Sequence, residues 1–218
     1  MGILDWPPLQ LYLARVWEGM LNAAVITLGA VALGLVLGLV LALARGSRRR
    51  PVSELARVLI DIGRSIPVLP ILYLVYFGIL DLWFPIPPEY AGMLALGVNL
   101  AFYMAELYRS GLQAVPKGAI EAGYSLGMSV GLVNRRIVLP IAIRVMLPAI
   151  GQLSVGTLLN SSLVSIIGGR EVTTVSRDII DLYFSTPLWW AVAATYFILA
   201  FPLSRFFSLL ERRLAVAA

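Results

Sequence analysis

The side chains that carry most enzyme chemistry are absent here: the sequence has no histidine and no cysteine. That excludes imidazole general-base catalysis, thiolate nucleophiles, metal centres built on either residue, and disulfides. What remains is neutral polar groups set at helical spacing inside long apolar runs. Gln152, Gly156 and Asn160 stand four apart in one row, beside a stripe of Ser154, Thr157, Ser161 and Ser165. Asn99 and Tyr103 are also four apart. In an apolar run such groups either hydrogen-bond between helices or line a path for a polar solute. Asn99, Tyr103, Gln152, Asn160 and Ser161 are therefore the candidate path residues. Charged residues fall at the run ends, where Glu106 with Arg109, and Asp61 with Arg64, read as ion pairs or loop anchors. Gly34 and Gly38 form a small-xxx-small pair suited to helix packing within the chain.

The elements that hold these residues follow from composition. Of 218 residues, 60% are hydrophobic and only 13% charged, about half the charge of an ordinary soluble domain, and the mean hydropathy is +0.88. Uncharged runs of 26, 25 and 23 residues lie between Glu18 and Arg45, Arg144 and Arg170, and Asp181 and Arg205. Each exceeds the roughly 18–20 residues that cross a bilayer as a helix. Two runs of 16, Arg64 to Asp81 and Glu89 to Glu106, read as further spans with charged ends in the interface. The fold class is all-α integral membrane, with five spans over approximately 20–44, 62–82, 89–108, 142–168 and 186–206. Arg15 and Glu18 ahead of so long a run argue against a cleavable signal peptide.

Orientation follows from the arginines. Of 17 basic residues only Lys117 is a lysine, and the net charge is +5. Their clustering between apolar runs fits the positive-inside rule better than a nucleic-acid footprint. With the basic loop Ala44–Pro51 in the cytoplasm, 14 basic residues lie inside and 3 outside. The N-terminus, with segment 1–19, is then external and the C-terminus internal. Trp83, Phe84 and Tyr90 suit one headgroup region, and Trp189 and Trp190 anchor the last span.

The inner connection after Arg109 is long for a link between helices. Pro116 can open a helix, Lys117 and Glu121 share a face, and Gly127 offers a stop before a second amphipathic stretch from Ser129 to Pro140. The expected form is helix, glycine turn, helix, over residues 110–140. Glu121-Ala122-Gly123, then Gly127, then Ile137-x-Leu139-Pro140 resembles the EAA loop of ABC importer permeases. Tyr103-Met104-Ala105-Glu106-x-x-Arg109-Ser110-Gly111, Val115-Pro116-Lys117-Gly118, Ser162-Leu163-Val164-Ser165-Ile166-Ile167-Gly168, Arg64-x-x-Pro67 and Glu211-Arg212-Arg213-Leu214 narrow the resemblance to the polar amino-acid branch. Gly123 replaces the family's second alanine and Ile141 a common glutamine. Leu159-Asn160-Ser161 stands for the branch's Lys-Asp-Thr, and Pro70 for another glutamine. These departures bear on the substrate rather than on the family.

The resemblance implies a single type I importer permease domain over residues 1–218, in a bacterial inner membrane. The loop would dock on an ATPase subunit dimer through Lys117, Glu121, Ala122, Gly123, Leu126 and Gly127. No Gly-x-x-x-x-Gly-Lys-Ser/Thr occurs, so ATP and magnesium belong to that partner and no cofactor or catalytic residue is expected in this chain. An identical or sister permease would complete the path, and an extracytoplasmic binding protein would deliver the solute; nucleic acid is not expected. The alternative, a stand-alone secondary transporter or channel subunit, calls for an ionisable group deep in a span and an internal repeat, neither of which is evident.

Overall fold

In this computed structural model, residues 6–80 and 86–215 are described. Trp83 and Phe84, and the end of the expected second span, lie outside them. Among the described residues the chain is helical throughout, without strands.

Helix α1, Pro7–Arg45, has proline at its first position, where a missing N–H costs nothing. It starts well before the expected residue 20. Arg15 and Glu18 do not end it, because Tyr12, Val16 and Gly19 bury one face of the added turns while Leu13 and Trp17 stay exposed on the other. The helix is 39 residues long, or about 58 Å at 1.5 Å per residue, roughly twice the hydrocarbon thickness. The helix is therefore longer than one perpendicular crossing needs.

The expected second span is not one helix. Helix α2, Arg50–Ser65, is amphipathic and ends at Ile66, whose φ −91° and ψ 126° are the extended values that a following proline imposes. After Pro67, α3, Val68–Tyr73, leaves at 109° to α2 and passes into a π-helical stretch, Leu74–Leu80. Only the second limb and the last turn of α2 fall in the run read as a span.

Helix α4, Pro88–Gln113, packs along α1. The Gly34 and Gly38 pair makes the approach possible. A Cβ on Gly38 would lie 2.6 Å from Met104 Cβ and 3.0 Å from the Ala101 carbonyl oxygen, and one on Gly34 2.7 Å from Leu100. Helix α5, Lys117–Ser125, is the first limb of the inner loop. The second limb does not stop where the sequence suggests. Helix α6, Val130–Val133, runs through a π turn, Asn134–Val138, into α7, Leu139–Asn160, and a closing 3-10 stretch, Ser161–Ile167. Pro140 does not break this rod, because it occupies the first turn of α7, directly after the π turn.

Helix α8, Val172–Tyr183, occupies the connection between the expected fourth and fifth spans. It buries Val172, Val175, Ile179 and Ile180 against Tyr12, Val16 and Ala23 of α1, with Leu188 and Val192 of the next limb. A short 3-10 turn, Thr186–Leu188, leads to α9, Trp189–Ala215, which runs past the expected end at 206. Among the described residues, four helical stretches are long and apolar enough to span a membrane, and a fifth if the bent pair α2–α3 counts as one. Leu28, Val36, Leu43, Phe197 and Ile198 are exposed on them, as lipid-facing side chains are.

Candidate functional site

Two places gather the residues singled out by the sequence. The first is a cavity of about 230 Å³ between α4 and α7, closed at one side by Val68 of α3. Asn99 and Tyr103 enter it from α4; Gln152, Gly156, Thr157 and Asn160 enter from α7. The two rows spaced four apart thus face each other, and no lining side chain is charged. Arg64 stands beside it, its guanidinium 5.7 Å above the Tyr103 ring, while the Tyr103 hydroxyl donates to the Arg64 carbonyl at 3.2 Å. The Asp61–Arg64 pair expected from the sequence is not among the ion pairs of the described residues; the aromatic ring takes that guanidinium instead.

Ser161 is not in this cavity. It is fully buried and donates to the Leu158 carbonyl at 2.7 Å. Ser154, Thr157 and Ser165 likewise donate to carbonyls of their own helical stretch, so most of the serine–threonine stripe satisfies itself. Gln152 also borders a neighbouring cavity of about 240 Å³ between α7 and α9, with Ser204, Ser208 and Glu211. A polar trough therefore continues along α7 past Gln152. At about 230 Å³ the first cavity falls below the roughly 300 Å³ low end of small-molecule sites, and it is open at one side.

The second place is the inner loop. Pro116 precedes α5 in extended conformation, and Gly127 ends it at φ +77°. The Met128 N–H donates to the Gly123 carbonyl at 3.1 Å and the Gly127 N–H to the Tyr124 carbonyl at 2.9 Å, the paired bonds of a glycine-capped helix end. Lys117, Glu121, Ala122, Leu126 and Gly127 face outward, with Leu126 82% exposed beside exposed Tyr124 and Val130. Gly123 faces inward: a Cβ there would meet Ile137 Cδ1 at 2.7 Å and Val133 Cγ2 at 3.1 Å. The close approach that Gly123 permits is therefore to its own chain.

A staple fixes the end of α4 from which the loop departs. Glu106 accepts from Arg45 Nη1 at 2.7 Å and from Arg109 Nε at 3.1 Å, with a second Arg109 bond through Nη2. The Glu106–Arg109 pair was legible; Arg45, 61 residues away on α1, was not.

The sequence reading also missed a buried network at the opposite end. Glu171, fully buried, caps α8 by accepting from the Thr174 N–H at 3.0 Å and from the Tyr196 hydroxyl. Tyr196 pairs with Thr173 at 2.9 Å, and Tyr12 with Thr195 at 2.6 Å. Burial pushes the Glu171 carboxyl above its ordinary value, against the opposing pull of the Tyr196 hydroxyl and the Thr173 and Thr174 N–H groups. A glutamate three residues before Thr174, opening an apolar-periodic stretch, was the available signal.

With this geometry in place, the likenesses are specific. Residues 34–216 match the family described as binding-protein-dependent transport system inner membrane component. The nopaline transport system permease protein NocM of Agrobacterium fabrum is 38% identical over 190 residues, covering 82% of this chain and 79% of that one. The glutamine transport system permease protein GlnP of Escherichia coli is 32% identical over 215 residues, covering 97% and 96%. A crystal structure of an amino acid ABC transporter with histidines superposes with a TM-score of 0.83 at 33% identity, covering 94% of each chain.

Proposed function

This chain belongs to the family of binding-protein-dependent transport system inner membrane components, and on that premise we propose that it forms half of the path by which an ATP-driven importer admits a polar amino acid or related small polar solute. The observation that carries this reading is the convergence of Asn99, Tyr103, Gln152 and Asn160 on one uncharged cavity. Neutral donors and acceptors on two facing helices can replace part of a zwitterion's hydration without trapping it by charge. The cavity's small size and open side fit a path completed by a second permease copy, identical or a sister chain.

Energy enters at the other place. The loop 110–140 lies in the cytoplasm and docks on an ATPase dimer, which binds ATP and magnesium. Lys117, Glu121, Ala122 and Leu126 make the contact, while Gly123 and Gly127 hold its shape. The exposed Leu126, Tyr124 and Val130 beside charged Lys117 and Glu121 suit a protein groove better than lipid or water. The N-terminus with segment 1–19 is outside, the C-terminus inside, and an extracytoplasmic binding protein delivers the solute to this bacterial inner-membrane subunit.

The test is to solubilise the chain from its native membranes in mild detergent and identify what co-purifies, beside a Gly127→Asp variant. A P-loop ATPase retained by the wild type and lost by the variant supports the docking loop. Purification without any ATPase, under conditions that keep a known importer intact, would sink it.

A further inference from the structure

At the end of the molecule that carries the Glu106 staple lies a groove with no part in that path. It encloses about 490 Å³ between the last turns of α1, the first turns of α2 and the last turns of α4. One wall is aliphatic: Leu39, Leu43 and Leu112 line it, each exposed. The other carries three guanidiniums, those of Arg45, Arg57 and Arg109.

The charges there do not cancel. Arg45 and Arg109 share a single carboxylate, Glu106, so that triad keeps a positive charge. Arg57 pairs with Glu54 at 2.5 Å, but both side chains are more than half exposed, and such a pair opens at little cost. Arg48, Arg49 and Arg50, in the turn between two of the lining residues, Gly46 and Ser53, are all exposed. Beside the groove, α2 leaves Val52, Leu55, Leu59 and Ile62 uncovered. Its Glu54, Arg57, Asp61 and Arg64 lie along the opposite side, and α2 sits at 109° to the limb that follows it. This is the form of a helix lying in a membrane interface rather than crossing it.

An aliphatic wall ending in arginines at headgroup depth matches one class of molecule. We propose that this groove holds an anionic phospholipid, its acyl chains along Leu39, Leu43 and Leu112 and its headgroup phosphate on Arg45, Arg57 and Arg109. Planar guanidiniums bind phosphate in paired hydrogen bonds, and basic pockets between helices at a membrane face recognise anionic headgroups. The lipid would tie the α1–α2 corner to the end of α4, where the loop begins.

The experiment is native mass spectrometry of the purified permease–ATPase assembly, delipidated until annular lipid is gone. The expected result is one phosphatidylglycerol or cardiolipin retained per permease copy, with retention falling as salt rises. Arg57→Gln should weaken that retention about fivefold, the effect of removing one interfacial arginine, and Leu43→Trp should displace the lipid by filling the aliphatic wall. Equal, salt-independent retention of phosphatidylethanolamine would overturn the proposal. So would release of the lipid by millimolar inorganic phosphate, which would make the groove a simple anion site. Cross-linking from Leu43→Cys to a partner chain would make it a protein interface and overturn it too. Each variant must keep its ATPase; if Arg57→Gln does not, the salt and headgroup series on the wild type decides alone.

Discussion

Glu171 shows what one buried carboxylate does when burial favours its neutral form over the pull of its neighbours. A protonated Glu171 can still accept from the Thr174 N–H while donating to Tyr196, whose own hydroxyl turns to Thr173. Glutamine can make the same two bonds and leave the Tyr196–Thr173 bond in place. Because burial raises the carboxyl above its unfolded value, its contribution to stability is complete below the ordinary carboxylate range and is lost as pH rises through the raised value. Thermal unfolding of the detergent-solubilised assembly should therefore weaken with pH across that window in the wild type, and Glu171→Gln should flatten the slope. Glu171→Ala removes the cap and strands the Thr174 N–H, at a cost of about 1–2 kcal/mol on the acid side of that window. A wild-type midpoint that rises with pH through the window would refute this account. Gly127 rests on a different argument, its φ of +77° with open space around it. Gly127→Ala meets no neighbour but pays about 1–2 kcal/mol for the left-handed backbone. It should leave the spans intact while loosening the loop, seen as reduced ATPase retention without a change in helix content by circular dichroism.

Elements with an uninterrupted apolar run and a proline or glycine at each border were legible, and those whose borders depend on distant partners were not. The core of α4 fell where expected, because Pro88 starts it and the charged Glu106 and Arg109 mark its end. The start of α1 did not, since its first turns bury Tyr12 and Val16 against α8, whose first residue, Val172, lies 160 positions after Tyr12 in sequence. The bend at Pro67 hid for a related reason: Arg64 reads as the edge of a span, yet it lies in the last turn of the amphipathic helix α2, which begins at Arg50 and is bent by 109° from the limb that follows. At the candidate site, the four-residue spacing found Asn99, Tyr103, Gln152 and Asn160 but also took in Ser161, because periodicity does not reveal that the helix tightens to 3-10 there and turns the hydroxyl inward. The α1–α4 contact allows a test at this scale. Gly38→Leu would force a side chain into Met104 and the Ala101 carbonyl, and overpacking of this kind costs about 1–3 kcal/mol. The variant should unfold at lower temperature even with the ATPase bound, whereas Val36→Leu, on the exposed face of the same helix, should not.

For the molecule as a whole, the decisive property is that its polar trough is open along one side. Gln152 is exposed and borders both cavities, so in an isolated chain it would face lipid, where an unpartnered amide is costly. In the proposed assembly, a second permease copy across this face would remove that cost and close the path. Since the chain has no cysteine, single cysteines can report on this without background. Gln152→Cys and Asn160→Cys should react with a water-soluble thiol reagent in the assembled transporter, at rates that change between the nucleotide-free and ATP-trapped states. Leu28→Cys, also exposed in the isolated chain but read as lipid-facing, should be inert to the charged reagent in both. Modification at Gln152→Cys should also block uptake. If Gln152→Cys and Leu28→Cys behave alike in both states, the trough faces lipid rather than solute, and the path must be sought on another face of the bundle.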